Sequence, residues 1–149
     1  MRIYLPAALT ELAGTAALTP RVVHAVTPAL RAALPDEDDE GLEYAAQLLA
    51  ADDSLDLLTP AHPRRVVIAA DVPEEAVEAL PSGHEHAPSA VQLTGPISWD
   101  QVACAHVDEV TAQEDVRATL DGDDEAAERL AERDLLWYDA SELACLAKS

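Results

Sequence analysis

Residues 65–72 read RVVIAADV. Val66, Val67, Ile68, Ala69 and Ala70 form a continuous apolar run of strand length with no polar alternation. A strand with one wet face alternates, whereas a strand covered on both faces does not. The run therefore predicts a central strand in a sheet with helices packed on it. Arg64 and Arg65 precede it, and Asp71 closes it just ahead of Pro73.

Upstream, residues 39–58 carry the longest helical pattern. Tyr44, Leu48, Ala51, Leu55 and Leu58 recur at spacings of four and three, and Leu42, Ala45 and Leu49 widen the stripe. That pattern predicts a long helix lying across the sheet on this face. The acidic run at 36–40 precedes it and suits the positive end of a helix dipole. Thr27-Pro28 predicts another helix start, a hydroxyl N-cap followed by proline at the first helical position, with Pro35 as the stop. Residues 2–5 and 21–26 read as strands, the first edge-like because Pro6 stops it.

Downstream, residues 73–80 suggest a short helix, and 90–93 and 104–108 suggest strands. Ser98 and Gln101 have the capping-box spacing of a brief helix. Residues 111–120 and 123–133 read as two helices broken at Asp121-Gly122. Residues 135–138 read as a short buried strand or aromatic plug, and 139–142 cap a last helix. Strands and helices interleave and no linker divides them. The expectation is an α/β fold in a single domain over residues 1–149, with a mixed sheet of about five strands.

The chain has 149 residues, enough for a real core. Hydrophobic residues make up 49% but aromatics only 3%, and phenylalanine is absent. The core must then be Leu, Val and Ala, with Tyr4, Tyr44, Trp99, Trp137 and Tyr138 as the few large fillers. Nine basic residues against 29 acidic ones give a formal charge of −20, and Lys148 is the only lysine. Bare nucleic acid and anionic membranes repel such a chain, so a macromolecular partner is expected to be a basic protein. An even acidic coat that serves solubility is the plainer alternative. There are two cysteines, no CxxC pattern and no membrane-length apolar run, and the N-terminus MRIYLPAAL turns polar too soon for a signal peptide. These features predict a cytoplasmic protein.

The segments MRIYLPAAL, HAVTPALR, EYAA, RRVVIAADV, HVD and LLWY, with a helix after the last, follow one another along nearly the whole chain. In these segments the chain resembles an uncharacterised family of small acidic actinobacterial proteins, a domain of unknown function. The resemblance implies one full-length domain and carries over no activity, ligand or catalytic residue.

Two predicted strands end in aspartate, RVVIAADV at Asp71 and CAHVD at Asp108. In parallel α/β sheets ligands bind beyond the carboxyl ends of the strands. If these strands run parallel and adjacent, two carboxylates share one rim, where they could hold a divalent cation or act as an acid–base pair. The plainer role for each is to cap a turn. On CAHVD, a period of two puts Cys104, His106 and Asp108 on one face. The trio invites a nucleophile–base reading, yet residues two apart on a strand stand ~6.6 Å apart, and that chemistry needs contact at ~3 Å. Asp71, His106 and Asp108 are thus the candidate residues, and Cys104 is expected to be a plain buried thiol.

His62, His84 and His86 lie in loop sequence without the four-ligand spacing of structural zinc. Asp36, Asp38 and Glu40, and again Asp121, Asp123 and Glu125, begin like calcium loops but depart at the glycine or the twelfth position. The five glycines are scattered and no phosphate-binding fingerprint appears, so no cofactor is implied. The sequence leads to a non-enzymatic accessory or protein-binding domain with an acidic surface. The alternative is a small enzyme, or a ligand- or metal-binding domain, working from Asp71 and Asp108. A DNA mimic ranks last.

Overall fold

The computed structural model describes residues 1–13, 16–81 and 86–147. Its strands are β1 (Arg2–Ala7), β2 (Val22–His24), β3 (Val66–Asp71), β4 (Val77–Glu78), β5 (Ala90–Leu93), β6 (Val102–Val107) and β7 (Leu136–Asp139). Its helices are α1 (Pro28–Ala33), α2 (Asp39–Ser54), α3 (Gln113–Leu120), α4 (Asp124–Ala131) and α5 (Leu143–Leu146). The strands form one sheet in the order β4-β5-β2-β1-β3-β6-β7, and every neighbouring pair is antiparallel. The α/β class holds. The mixed sheet of about five strands is corrected to seven antiparallel strands.

The RVVIAADV run is the doubly covered strand that its pattern predicts. Along β3, Val66, Ile68 and Ala70 point to one face and Val67 and Ala69 to the other. All five are fully buried. On one face α1 and α2 supply Leu30, Leu42, Ala46, Ala50 and Ala51 against Tyr4, Val67, Ala69 and Cys104. On the other, Leu9, Leu12, Leu18, Ile97 and Leu143 close over Ile3, Leu5, Ile68 and Val107. Leu55 and Leu58, just beyond α2, seat α3 and α4 through Ala112, Val116 and Leu130.

Three local expectations are corrected. β1 is a central strand, not an edge, and Pro6 lies within it, opposite Val67. A proline is tolerated there because the β1–β2 ladder is reduced to the single pair Tyr4–His24, so its missing N–H costs no ladder bond. The Pro6 carbonyl is taken instead by the Arg21 guanidinium at 2.9 Å. Second, α2 does not lay its Tyr44–Leu48 stripe on the sheet. Tyr44 is exposed, and the buried face is Leu42, Ala46, Ala50, Ala51 and Ser54. Small side chains let the helix approach closely, and Ser54 uses that approach: its hydroxyl donates to the Ala7 carbonyl and accepts from Val66 N–H, joining β1 to β3. Third, residues 74–78 form a 3-10 turn and then the two-residue strand β4 instead of a helix.

Most capping signals hold, although Thr111 and Glu114, which have capping-box spacing, form no cap because Thr111 lies inside a 3-10 turn ahead of α3. Thr27 accepts from Leu30 N–H ahead of Pro28, and Asp38 accepts from Gly41 N–H at the start of α2. Ser98 and Asp139 each form a capping box, with Gln101 and Glu142. Between α3 and α4, Gly122 takes φ +95, a conformation that favours glycine.

Candidate functional site

The antiparallel sheet separates the two aspartates. β3 and β6 are neighbours but run in opposite directions, with Val66 opposite Val107. Asp108 therefore lies beside the start of β3, and Asp71 at its far end, about 20 Å away at 3.4 Å per residue. The shared carboxylate rim, which depended on parallel strands, does not exist.

Each carboxylate has an arginine instead. Asp108 is fully buried and accepts from Arg65 Nε at 2.9 Å, from Arg65 Nη2 at 2.9 Å and from the Arg65 backbone N–H at 2.8 Å. Its own carbonyl accepts from Arg64 Nε. Every oxygen is thus engaged by the chain itself, and the carboxylate is sealed from solvent and substrate alike. Asp71 is exposed and meets Arg2 in a two-point pair at 2.7 and 3.0 Å. That pairing holds the Asp71 carboxyl below the usual aspartate range.

His106 sits elsewhere, in a cleft of about 310 Å³ on the α2 side of the sheet. Arg2, Tyr4, Cys104 and His106 line it from the sheet. Glu40, Glu43 and Tyr44 line it from α2, and Trp137 lines it from β7. Trp137 stands directly opposite His106 in the β6–β7 register, so their side chains share a face. The Tyr44 hydroxyl donates to Asp134 at 2.6 Å and fixes that side of the rim.

The Cys104–His106 pair is not an activated nucleophile. Sγ and Nε2 are 3.9 Å apart. Burial pushes the thiol up despite a hydrogen bond from Trp137, and burial and Arg2 together push the imidazole down. Both shifts favour the neutral thiol and the neutral imidazole, the opposite of the thiolate–imidazolium pair that nucleophilic cysteine needs. Asp108 is committed to Arg65 and orients neither. What lines the cleft is an imidazole, two carboxylates, an indole, a phenol and, held by Asp71, the Arg2 guanidinium.

A second trio was not signalled by the sequence. His24 Nδ1 lies 2.6 Å from Ser89 Oγ, and His24 Nε2 lies 2.6 Å from Asp53 Oδ2. The residue types are those of a hydrolytic triad, but Ser89 and His24 are buried beneath α2, where no substrate carbonyl reaches the hydroxyl. The trio pins β2, α2 and the residue before β5 together. No sequence spacing relates positions 24, 53 and 89; only the fold does.

Among the described residues no group of three or more His, Cys, Asp or Glu is placed to hold a metal ion. His84 lies outside the described residues, and His62 and His86 are exposed. Asp38 and Asp123, the second acidic residue of each calcium-like run, act as helix N-caps. No described helix is long and apolar enough to cross a membrane.

The arginines are all spent inside the molecule. Arg2, Arg21, Arg31, Arg65, Arg129 and Arg133 pair with Asp71, Glu11, Asp39, Asp108, Asp115 and Glu109. Arg64 and Arg117 donate to the carbonyls of Asp108 and Pro60.

A family model described as "Family of unknown function (DUF6912)" matches residues 1–147, and the chain belongs to that family. No curated protein and no solved structure matches it.

Proposed function

We propose that this member of the family is a non-enzymatic binding domain of the cytoplasm whose acidic surface engages a basic protein, and that the Trp137–His106 cleft receives one of the partner's cationic side chains. The observation that carries the reading is the fate of the arginines. Each is tied to a carboxylate or a carbonyl of its own chain, so among the described residues most of the 29 acidic side chains have no arginine beside them. A surface of that kind attracts and orients a basic partner and repels nucleic acid.

The cleft adds chemistry that charge alone lacks. An ammonium or guanidinium group is held by carboxylates, by a neutral imidazole nitrogen and by aromatic faces. Glu40 and Glu43, His106, and Trp137 with Tyr44 supply each of these around one opening. Two free thiols, Cys104 and Cys145, suit a reducing compartment.

The test is retention of basic proteins by the immobilised domain from cytosol of the source, at low and at moderate salt. The expected result is capture at low salt, weakened by salt and by the Glu40→Gln/Glu43→Gln double variant. Recovery of no basic protein at either salt refutes the reading.

A further inference from the structure

We infer that the partner docks as an extended strand added to the free edge of β7, with a cationic residue turned onto Trp137 and into the cleft; this rests on the reading of a basic partner above. The two ends of the sheet differ. β4, at one end, is two residues long and carries Glu78, a blunt edge that resists pairing. β7, at the other, is four residues long, contains no proline and, among the described residues, is paired only on its β6 side.

The ladder's parity shows which β7 groups are free. Asp108 N–H donates to the Arg65 carbonyl, so positions 104, 106 and 108 turn their backbone groups toward β3. Positions 105 and 107 then face β7, where they meet Tyr138 and Leu136. The backbone N–H and C=O of Trp137 are left pointing away from the sheet. Asp139 has the same parity, and its N–H is indeed met from outside, by Glu142 Oε1 at 3.1 Å.

The side chains of the edge match this reading. Leu136 and Trp137 are 43% and 60% exposed and stand on opposite faces of the strand. An added strand would cover part of both. Its residue beside Trp137 falls on the His106 face, the side of the sheet where Glu40 and Glu43 line the cleft, and arginine or lysine is the matching side chain. A second copy of the chain is the wrong occupant, because it brings another formal charge of −20 to the same edge.

The probe is a capped hexapeptide of alternating arginine and valine, titrated into the isotopically labelled full chain at low salt and followed by amide and indole resonances. Its controls are the same peptide N-methylated at alternate backbone amides and a glutamate–valine peptide. The expected result is that the amides of residues 135–139 and the Trp137 indole shift first. N-methylation on the bonded side should weaken binding about tenfold or more through lost backbone bonds, Trp137→Ala should weaken it several-fold, and the glutamate peptide should not bind. Equal binding of the parent and N-methylated peptides, or shifts spread over α2 and α4, overturns strand addition while leaving the basic-partner reading intact. No binding of either arginine peptide overturns both. Self-association of the chain through residues 135–139, seen by sedimentation, makes the occupant a second copy and overturns the proposal.

Discussion

Asp108→Ala separates a structural carboxylate from a functional one. The substitution removes the acceptor of Arg65 Nε, Nη2 and backbone N–H, and leaves Arg65 Nη2 only a 3.4 Å contact with the Leu130 carbonyl. The side chains of the pair are 3% and 0% exposed, so water cannot replace the lost partner. Orphaning one member of such a buried pair costs about 3–5 kcal/mol. For a chain of this length each kcal/mol lowers Tm by about 2–4 °C, so the expected fall is roughly 6–20 °C.

Thermal and urea unfolding followed by circular dichroism would measure it, with Asp71→Ala as the comparison. The Arg2–Asp71 pair is 39% and 59% exposed, and its loss is expected to cost no more than about 1 kcal/mol. The double variant Arg65→Met/Asp108→Leu removes both charges and should recover part of the loss. Full recovery is not expected, because the Arg65 backbone N–H still lacks its acceptor. A cost below about 1 kcal/mol for Asp108→Ala, or a larger cost for Asp71→Ala, would refute the assignment of Asp108 to the fold.

Other outcomes follow from the same geometry. The His106 imidazole should titrate below the ordinary histidine value of about 6.5 in an NMR titration. Because the unfolded chain takes up that proton first, the His106 contribution to stability is complete above about 6.5 and declines as pH falls toward the folded-state value. His106→Gln should remove that part of the pH dependence, and a midpoint at or above 6.5 would contradict the burial argument. In a thiol-reagent assay of the native chain, exposed Cys145 should react promptly and buried Cys104 only after urea is added; comparable rates would contradict the thiol environment described. Ser54→Ala should cost about 1–3 kcal/mol in urea unfolding, because it strips a partner from both the Ala7 carbonyl and Val66 N–H. A neutral result would mean that α2 does not bridge β1 and β3.

The doubly buried β3 was legible because absence of alternation is a direct statement about two faces. Strand direction was not, because the same apolar run suits any strand covered on both sides. β4 is too short to show a period. The face of α2 is hidden in the sequence because a stripe ranked by side-chain size follows tyrosine and leucine, whereas a helix pressed close to a sheet presents alanine and serine. Pro6 suggests an edge by the usual rule, which fails here because the β1–β2 ladder is a single pair and needs no N–H at that position. His106 was picked out by its neighbours on β6, but the cleft comes from residues 40, 43, 44 and 137, which are brought to it by two other elements.

The strand-end charges nevertheless held the information that the parallel reading missed. β1 opens with Arg2, and Arg65 stands just before β3; β3 closes with Asp71, and Asp108 stands just after β6. If β1, β3 and β6 ran parallel, Arg2 would lie near Arg65 and Asp71 near Asp108, like charges side by side at both ends of the sheet. Run antiparallel, each arginine meets an aspartate, Arg2 with Asp71 and Arg65 with Asp108. One residue of slip in the β1–β3 ladder, or in the β3–β6 ladder beside Val66, would separate the partners. The charges therefore supply the direction that the unbroken apolar run leaves open, and the carboxylates that look like a site in a parallel sheet are the residues that argue for an antiparallel one. The buried pair carries most of that specification, because an orphaned charge at Arg65 costs far more than one at Arg2, which water can reach.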